Sequence, residues 1–425
     1  MRVVWLSLAF ASPGFSGNCF AARAYVRALL ARGHSVDVVC AVPLAEHPSA
    51  TALTLTPLGS GPVPDMAPVP IKDSNSVCSS VCSTHPAFAF LDDWEARPTV
   101  WAYPVSSWYK VDASAPHAEW AAAIEAAAAA GEGSTPRLEE ADSLVFVDFT
   151  SLGALDALAA RCQSLPRSLF LPYRIYSTDP GLAQDAAATY AAVETRCVAR
   201  ADGVAVLSSL DGERLASLCE TETELAVLWP PLRSAVATLA AGADICPDNV
   251  AAYVEAVEAC AGELAAAGIV PFMCGAAPDA AYAEAMYARV LTACPDTHII
   301  RGSLSTTELG EAFARAVVNV HPATYEPWGM TLAEAAAFGT ATVCHAETAN
   351  IGVVRDLLCE PGVTFVANMD APPDAPDSLA SVLRGMLAAG TFRELAAEAG
   401  AAARELAVGW QEDQLGARLE ELLVS

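Results

Sequence analysis

The sequence has little positive charge. Its 425 residues include 23 lysines and arginines against 50 aspartates and glutamates, which gives a formal net charge of −27. A surface that binds duplex nucleic acid needs clustered lysine and arginine, so we expect no nucleic-acid partner. Such an excess of acid is more typical of a highly soluble protein, or of a compositional bias of its source.

The sequence also lacks a long hydrophobic run. No stretch of about 18 bulky apolar residues is uninterrupted, so we predict no membrane span. Residues 1–11 are apolar and have the length of a short signal peptide, but Pro13 and Gly14 end the run and an amphipathic helix follows. We therefore interpret the start as a buried first strand.

Cysteine patterns typical of metal sites are missing as well. The 13 cysteines are scattered, and several lie in apolar strands, as Cys40 and Cys344 do. This usage is typical of reduced, buried thiols, so we predict a cytoplasmic protein. Cys78 and Cys82 lie near His85, but no second pair of ligands exists, so we predict no metal site.

Apolar strands alternate with alanine-rich helices along most of the chain. This alternation predicts an α/β protein with parallel sheets, and the length predicts two domains of roughly 200 residues each. We place the first domain at 1–229, with an irregular insertion over about 41–120. The second domain follows at 230–405, after a stiff linker that begins with Pro230.

The stretch from Val320 to Gly339 carries the clearest chemical pattern. It begins at the end of an apolar strand, continues through a loop that contains His321 and Glu326, and predicts a helix from about Met330. Another strand, residues 341–344, comes next. In α/β folds such a loop and first helical turn are where ligands bind.

The chemistry of this stretch lies in two carboxylates, Glu326 in the loop and Glu334 in the helix. Between them, free backbone N–H groups and the helix dipole should form an anion site, made by Gly329, Met330, Thr331 and Leu332. A nucleotide sugar suits this arrangement, because it has phosphates in the middle and hydroxyl groups at both ends. The alternative is that Glu326 caps the helix and Glu334 is a solvated side chain.

The motif E-P-W-G-M-T-L-A-E-A-A-A-F-G-T resembles the E-x7-E signature of retaining nucleotide-sugar glycosyltransferases with the GT-B fold. This variant is similar to the sucrose-synthase-like or plant-type group. The phrases R-G-H-S-V-D-V-V and A-D-G-V-A-V-L-S resemble the family's N-terminal domain. The resemblance implies two Rossmann-like domains that face a cleft, the first for the acceptor and the second for the nucleotide sugar. It also implies a C-terminal helix, residues 406–425, that crosses back to the first domain.

The resemblance assigns roles to the motif residues. Glu326 would contact the transferred sugar, Glu334 the ribose hydroxyls, and the helix-start amides the diphosphate. It implies a retaining transfer to an acceptor hydroxyl by same-face displacement, in which the leaving phosphate takes the acceptor proton, without a metal or other cofactor. Arg174 and Asp148 lie at strand ends, where they face either the cleft or the surface.

Two features depart from the family pattern. The loop after the first strand should be rich in glycine, but only Gly14 and Gly17 remain, so Gly17 either approaches the donor or belongs to an ordinary turn. The second domain should also begin with an arginine and a lysine that neutralise the diphosphate. Asp244 and Asn249 stand at those positions instead.

Another cation must replace that pair if the chain is an active enzyme. We rank Arg301 first as a catalytic cation, because it lies at a strand end on the same cleft edge, and keep Arg233 and Arg355 as further candidates. If none replaces the pair, the chain is a GT-B protein that has lost catalysis and serves as a binding or structural subunit with a protein partner. An unrelated α/β nucleotide-binding enzyme, such as an epimerase, stays open as a third interpretation.

Overall fold

A computed structural model of the chain describes its residues in several ranges. These are 1–11, 17–43, 86–105, 114–115, 117–130, 135–179, 182–219, 225–230, 247–275, 279–301, 304, 306–324, 326–388, 391–408 and 412–424. Every helix within them is too short or too polar to cross a membrane.

The first half is built on a seven-stranded parallel sheet. Its strands are β1 (Arg2–Leu6), β2 (Ser35–Pro43), β3 (Thr99–Val105), β4 (Ser143–Val147), β5 (Arg167–Leu171), β6 (Gly203–Val206) and β7 (Ala226–Val227). They lie in the order β3-β2-β1-β4-β5-β6-β7. The order reverses between β1 and β4, and ligands of doubly wound folds bind beyond the carboxyl ends of the strands at such a point.

Helices cover both faces of this sheet. They are α1 (Gly17–Ala31), α2 (Ala118–Ala130), α3 (Leu152–Ala159), α4 (Gln184–Arg200) and α5 (Ser209–Cys219). Successive side chains of β1 point to opposite faces, so Trp5 packs with Tyr25 of α1 while Leu6 packs with Trp120 of α2. Because both faces are buried, the strands are continuously apolar, as the sequence pattern indicated.

The second half contains two smaller parallel sheets. One holds β8 (Phe272–Gly275) and β9 (His298–Arg301), and the other has the order β10 (Val318–His321), β11 (Ala341–His345), β12 (Thr364–Ala367). The helices are α6 (Pro247–Ala266), α7 (Ala280–Ala293), α8 (Thr306–Arg315), α9 (Met330–Ala337), α10 (Gly352–Asp356), α11 (Leu379–Ala388) and α12 (Phe392–Val408). We predicted one second sheet, and the described residues form two separate sheets there.

The final helix, α13 (Glu412–Val424), crosses back to the first half, as expected. It packs against α1, where Arg32 donates a 2.7 Å hydrogen bond to Glu420. At its end the Leu423 carbonyl accepts a 3.0 Å hydrogen bond from Ser143 of β4. Leu415, Leu419 and Leu423 therefore belong to the same apolar core as β1.

The predicted insertion over about 41–120 contains regular elements near its end. A 3-10 helix spans Pro86–Asp93, and β3 pairs in register with β2 at the sheet edge, with Asp37 opposite Thr99. Pro104 is tolerated there because an edge strand has one unpaired side. Residues 44–85 and 106–113, with Cys78, Cys82 and His85, lie outside the described residues, and the domain boundaries stay predictions.

Candidate active site

The motif that the sequence singled out lies at the carboxyl end of β10. The strand ends at His321, the loop carries Glu326, and α9 begins after Gly329. Gly329 has a φ of 95°, which only glycine adopts without strain, and a Cβ there would lie 2.9 Å from Leu332. The glycine thus lets the loop turn sharply into the helix.

The loop backbone is held by the segment that follows β11. The Glu326 amide donates to the Asn350 carbonyl at 3.0 Å, and the Gly352 amide donates to the Glu326 carbonyl at 3.0 Å. The Val353 amide donates to the Trp328 carbonyl at 2.8 Å. This short parallel bridge fixes the position of the Glu326 backbone before any ligand arrives.

Only glycine fits at position 352. A Cβ there would overlap the Pro327 carbonyl oxygen and lie 2.8 Å from the Ser208 side chain of the first half. The close approach therefore brings the motif loop against the carboxyl edge of the first sheet.

The start of α9 provides fewer free donors than we predicted. The Leu332 amide donates to the Gly329 carbonyl at 3.1 Å, so the expectation of a free Leu332 amide is wrong. The Gly329 carbonyl also accepts from the Ala333 amide at 3.2 Å, as the residue before a helix commonly does. Gly329, Met330 and Thr331 remain as candidate donors to an anion.

The two carboxylates differ in environment. Glu334 lies in α9 and is only 1% exposed, so the alternative of a solvated Glu334 is wrong. The side chain of Glu326 is 35% exposed. One carboxylate is thus buried in α9, and the other is partly exposed in the loop before it.

Sequence reasoning gave no role to His321, which lies beside Glu326. Its Nε2 is 3.9 Å from a Glu326 carboxylate oxygen, and its Nδ1 is 3.4 Å from the Thr331 hydroxyl. Burial lowers the pKa of His321 to about 4, so the imidazole is neutral near pH 7. The only signal in the sequence was a polar residue at a strand end ahead of the motif.

Asp148 lies at the carboxyl end of β4, beside the point where the strand order reverses. Its backbone has a φ of 55° and a ψ of 166°, a conformation that is strained for any residue except glycine. The buried carboxylate accepts from the Tyr173 amide at 2.6 Å and from the Asn18 side chain at 3.1 Å. Burial and the nearby Glu194 raise the pKa of Asp148 to about 7. Strain and a perturbed pKa in one residue are typical of a functional site.

Arg174, the other strand-end candidate, lies near both Asp148 and Asp211. It donates to Asp179 at 2.5 Å. Burial raises the pKa of Asp211 to about 7, and Arg174 and Glu326 both act on its charge. Asp211 lies in the first turn of α5, where its amide donates to the Ser208 hydroxyl at 3.2 Å.

Two of the arginines proposed to neutralise the diphosphate pair with glutamates instead, and the third lies outside the described residues. Arg301 donates to both carboxylate oxygens of Glu284, at 2.6 and 3.0 Å, and lies over the Tyr287 ring. Arg355 pairs with Glu213 of the first half. Arg233 and Asp244 lie outside the described residues, and Asn249 lies in the first turn of α6. The catalytic role of Arg301 stays a prediction.

Gly17, the remaining candidate, begins α1, while residues 12–16 before it lie outside the described residues. Asn18, one of the residues that stand where further glycine was expected, contacts Asp148 instead. In the ranges the structure describes, no group of three or more His, Cys, Asp or Glu side chains is arranged to hold a metal ion.

Residues 272–405 fit the family model described as "Glycosyl transferases group 1", a span that contains both Glu326 and Glu334. The predicted resemblance to glycosyl transferases of group 1 is thus confirmed over these residues. A comparison with curated protein sequences finds no match.

Solved structures share the fold over the whole chain. Sucrose-phosphate synthase from Thermosynechococcus elongatus is 15% identical with a TM-score of 0.63, covering 99% of this chain and 98% of its own. HepE from Anabaena in complex with UDP and glucose is 13% identical with a TM-score of 0.59, covering 100% and 99%. WaaG, a glycosyltransferase involved in lipopolysaccharide biosynthesis, is 16% identical with a TM-score of 0.62, covering 100% of both chains. At these identities the similarity shows the fold alone, and it confirms the predicted GT-B architecture.

Proposed function

Because residues 272–405 form a glycosyl transferases group 1 domain within a GT-B fold, we propose that the chain transfers a sugar from a nucleotide sugar to an acceptor hydroxyl with retention of configuration. The observation that carries the proposal is the placement of Glu326 and Glu334 at the start of α9. One carboxylate is partly exposed and the other is buried. UDP-glucose is the first donor to test, since HepE was solved with UDP and glucose.

Each group at the helix start has a part in this proposal. Glu334 accepts hydrogen bonds from the ribose hydroxyls, and the amides of Gly329, Met330 and Thr331 hold the diphosphate with the positive end of α9. Glu326 contacts the transferred sugar. The bond between the sugar and the phosphate breaks, and the acceptor hydroxyl attacks from the same face of the sugar. The leaving phosphate oxygen accepts the proton of that hydroxyl. No metal ion is needed where amides and the helix dipole offset the phosphate charge.

On the opposite wall we place Asp148 against a substrate hydroxyl. Asp148 lies at the carboxyl edge of the first sheet. Its backbone conformation is strained, so the surrounding structure and not the local sequence holds the carboxylate in place. Reaction in the cytoplasm also belongs to the proposal. The cysteines among the described residues, from Cys19 to Cys359, are thiols rather than disulfides, which supports a reducing compartment.

A second function is favoured by one observation. Arg301 is bound to Glu284, and the arginine–lysine pair of the family is replaced in the sequence, so diphosphate departure has little positive charge to assist it. A chain that binds nucleotide sugar without transferring it would act as a binding or structural subunit with a protein partner.

Calorimetric titration with UDP and with GDP tests donor binding. We expect wild type to bind one of them, and Glu334→Gln, which keeps the side-chain volume, to weaken that binding at least about tenfold, because a charged hydrogen-bond acceptor is lost. Glu398→Gln on the exposed face of α12 is the matched control and should bind as wild type does. If the wild type binds neither nucleotide, the proposal is wrong.

Release of UDP from UDP-glucose separates the two functions. Turnover with or without added sugar acceptors supports an active transferase. Tight binding of UDP-glucose without any UDP release identifies a binding subunit instead.

A further inference from the structure

Arg23 of α1 is a partly buried cation without a carboxylate partner among the described residues. Most of the described arginines form ion pairs, as Arg2, Arg289 and Arg384 do. The Nη2 of Arg23 is buried and has no hydrogen-bond partner in the described part of the chain. Buried polar groups are rarely left without a partner, and a bound ligand is one explanation when they are.

The guanidinium of Arg23 is held in one orientation by its other contacts. Its Nε donates to the Phe10 carbonyl at 2.9 Å, and Cys19, one helical turn earlier, donates to the same carbonyl at 3.5 Å. The guanidinium carbon lies 3.6 Å from the centroid of the Phe90 ring, in the 3-10 helix before β3. One nitrogen and one face of the guanidinium are therefore occupied. A planar fork fixed in this way suits a phosphoryl or carboxylate group.

The charge of Arg23 is only partly compensated. Burial lowers the pKa of Arg23, but a guanidinium stays charged near neutral pH. The Phe90 ring offsets some of the charge through its negative face, yet it cannot accept the hydrogen bonds of Nη2. Because the residue as a whole is partly exposed, a small solute can reach it from solvent. An anion would supply both the missing charge and the missing acceptor.

Arg23 also lies beside the group that we place against a substrate hydroxyl. Its anchor, Phe10, follows β1, and Asp148 follows β4, and these two strands are neighbours in the sheet. The same helix start contributes Asn18, which donates to Asp148 at 3.1 Å. The strand order reverses between β1 and β4, which is where ligands of doubly wound folds bind.

We propose that Arg23 binds an anionic group, phosphoryl or carboxylate, on the acceptor, so that the chain glycosylates a charged acceptor in preference to a neutral one. The inference rests on the proposed function and deepens it, because it names the acceptor class. It predicts that Arg23 matters for the acceptor and not for the nucleotide.

Calorimetric titration with glucose 6-phosphate, glucuronate and glucose tests the proposal, with and without the nucleotide that the protein binds. The first two sugars distinguish a phosphoryl from a carboxylate group, and glucose is the neutral reference. We expect wild type to bind at least one charged sugar about tenfold or more tightly than glucose. Non-specific anion binding is disfavoured by the net charge of −27, so such a preference points to a defined site.

Two substitutions of Arg23 separate its charge from its shape. Arg23→Gln should weaken the charged sugar at least about tenfold, to the affinity of glucose, and change the affinity for the bare nucleotide less than about twofold. Arg23→Lys keeps the charge but not the planar fork, so it should weaken the charged sugar only about threefold.

Arg384→Gln is the matched control. Arg384 is also a partly buried arginine that donates to a backbone carbonyl, that of Ala259, but it is paired with Glu263 at 3.3 Å. The substitution changes the net charge by the same amount, and it should leave the affinities for all three sugars as in wild type.

The proposal is overturned if wild type binds neither charged sugar or binds them no better than glucose, a result that needs no variant to fold. It is also overturned if Arg23→Gln keeps the preference, since Arg23 would then only hold Phe10 and Phe90 together. Equal losses of nucleotide and charged sugar in Arg23→Gln would place the arginine at the donor diphosphate instead. A wild type that binds a charged sugar through Arg23 but no nucleotide overturns the proposed transfer and the acceptor role, while the anion site remains.

Discussion

At the scale of single residues, two buried acids lie at the carboxyl edge of the first sheet. Asp148 and Asp211 are both buried at the carboxyl edge of the first sheet, and burial raises the pKa of each to about 7. The sequence marked Asp148 only as an acid at a strand end. Its hydrogen bonds to Tyr173 and Asn18 join three separate segments of the chain, so no local sequence pattern predicts them or the strained backbone.

The pH dependence of stability tests the environment of Asp148. Its ordinary pKa of 3.8 is raised to about 7 in the fold, so the folded state keeps a proton that the unfolded chain releases. Its stabilising contribution is therefore complete below about pH 4 and is lost as the pH rises to about 7. We expect Asp148→Asn, which cannot ionise, to flatten this part of the profile by about 1.4 kcal/mol for each unit of pKa difference.

Urea denaturation of wild type and Asp148→Asn at about pH 5 and about pH 7.5 measures the difference. Asp142→Asn is the control, since Asp142 is an exposed acid just before the same strand. Equal pH dependence in wild type and Asp148→Asn would show that Asp148 ionises normally in the fold.

At the scale of elements, the strand–loop–helix unit from β10 to α9 was predictable. A buried apolar strand, a loop with two prolines and an alanine-rich helix are local patterns, and the helix begins at Met330 as expected. The bridge between Glu326 and Ile351 was not predictable, because neither segment has a sequence pattern that indicates pairing with the other. The same limit explains Leu332, whose amide is occupied by the carbonyl of a left-handed Gly329.

Gly352→Ala tests the bridge. The added methyl overlaps the Pro327 carbonyl oxygen and approaches Ser208, both held by backbone that cannot move cheaply. We expect a loss of about 2 kcal/mol or more in the free energy of unfolding, together with weaker donor binding, because the Glu326 loop must shift. Urea unfolding and calorimetry with the bound nucleotide provide the two measurements.

Gly385→Ala is the matched control. Gly385 lies in α11, and a Cβ there meets nothing within 4 Å, so alanine should stabilise the helix by up to about 1 kcal/mol. Equal behaviour of the two alanine variants would mean that the loop adapts to the extra methyl.

At the scale of the whole molecule, the two halves meet through Asp356 at the end of α10. Its carboxylate accepts from the Ser209 amide at 2.7 Å, where α5 begins, and from the Trp229 indole at 3.1 Å. Trp229 in turn stacks on Trp328 of the motif loop, with ring centroids 5.9 Å apart. This contact ties the loop of the candidate site to the start of the predicted linker.

Asp356→Ala should remove a helix cap and leave the indole without this acceptor. We expect the free energy of unfolding to fall by about 2 kcal/mol, as for the loss of a helix cap together with a buried hydrogen bond. Urea denaturation followed by tryptophan fluorescence measures it, and Asp374→Ala, at an exposed turn, should change stability by less than about 0.5 kcal/mol. An unchanged midpoint in Asp356→Ala would show that the halves are joined elsewhere.

The sequence by itself determined the α/β class, the alternation of strands and helices and the stretch that carries Glu326 and Glu334. Each depends on periodicity, turn residues or a contiguous motif, which are local. Tertiary structure decided which distant residues meet: His321 near Glu326, Gly352 against Pro327, Asp356 against Ser209, and Asp148 against Tyr173 and Asn18. These contacts depend on how distant segments pack, and burial then sets the charge of each group, so no single stretch of sequence contains them.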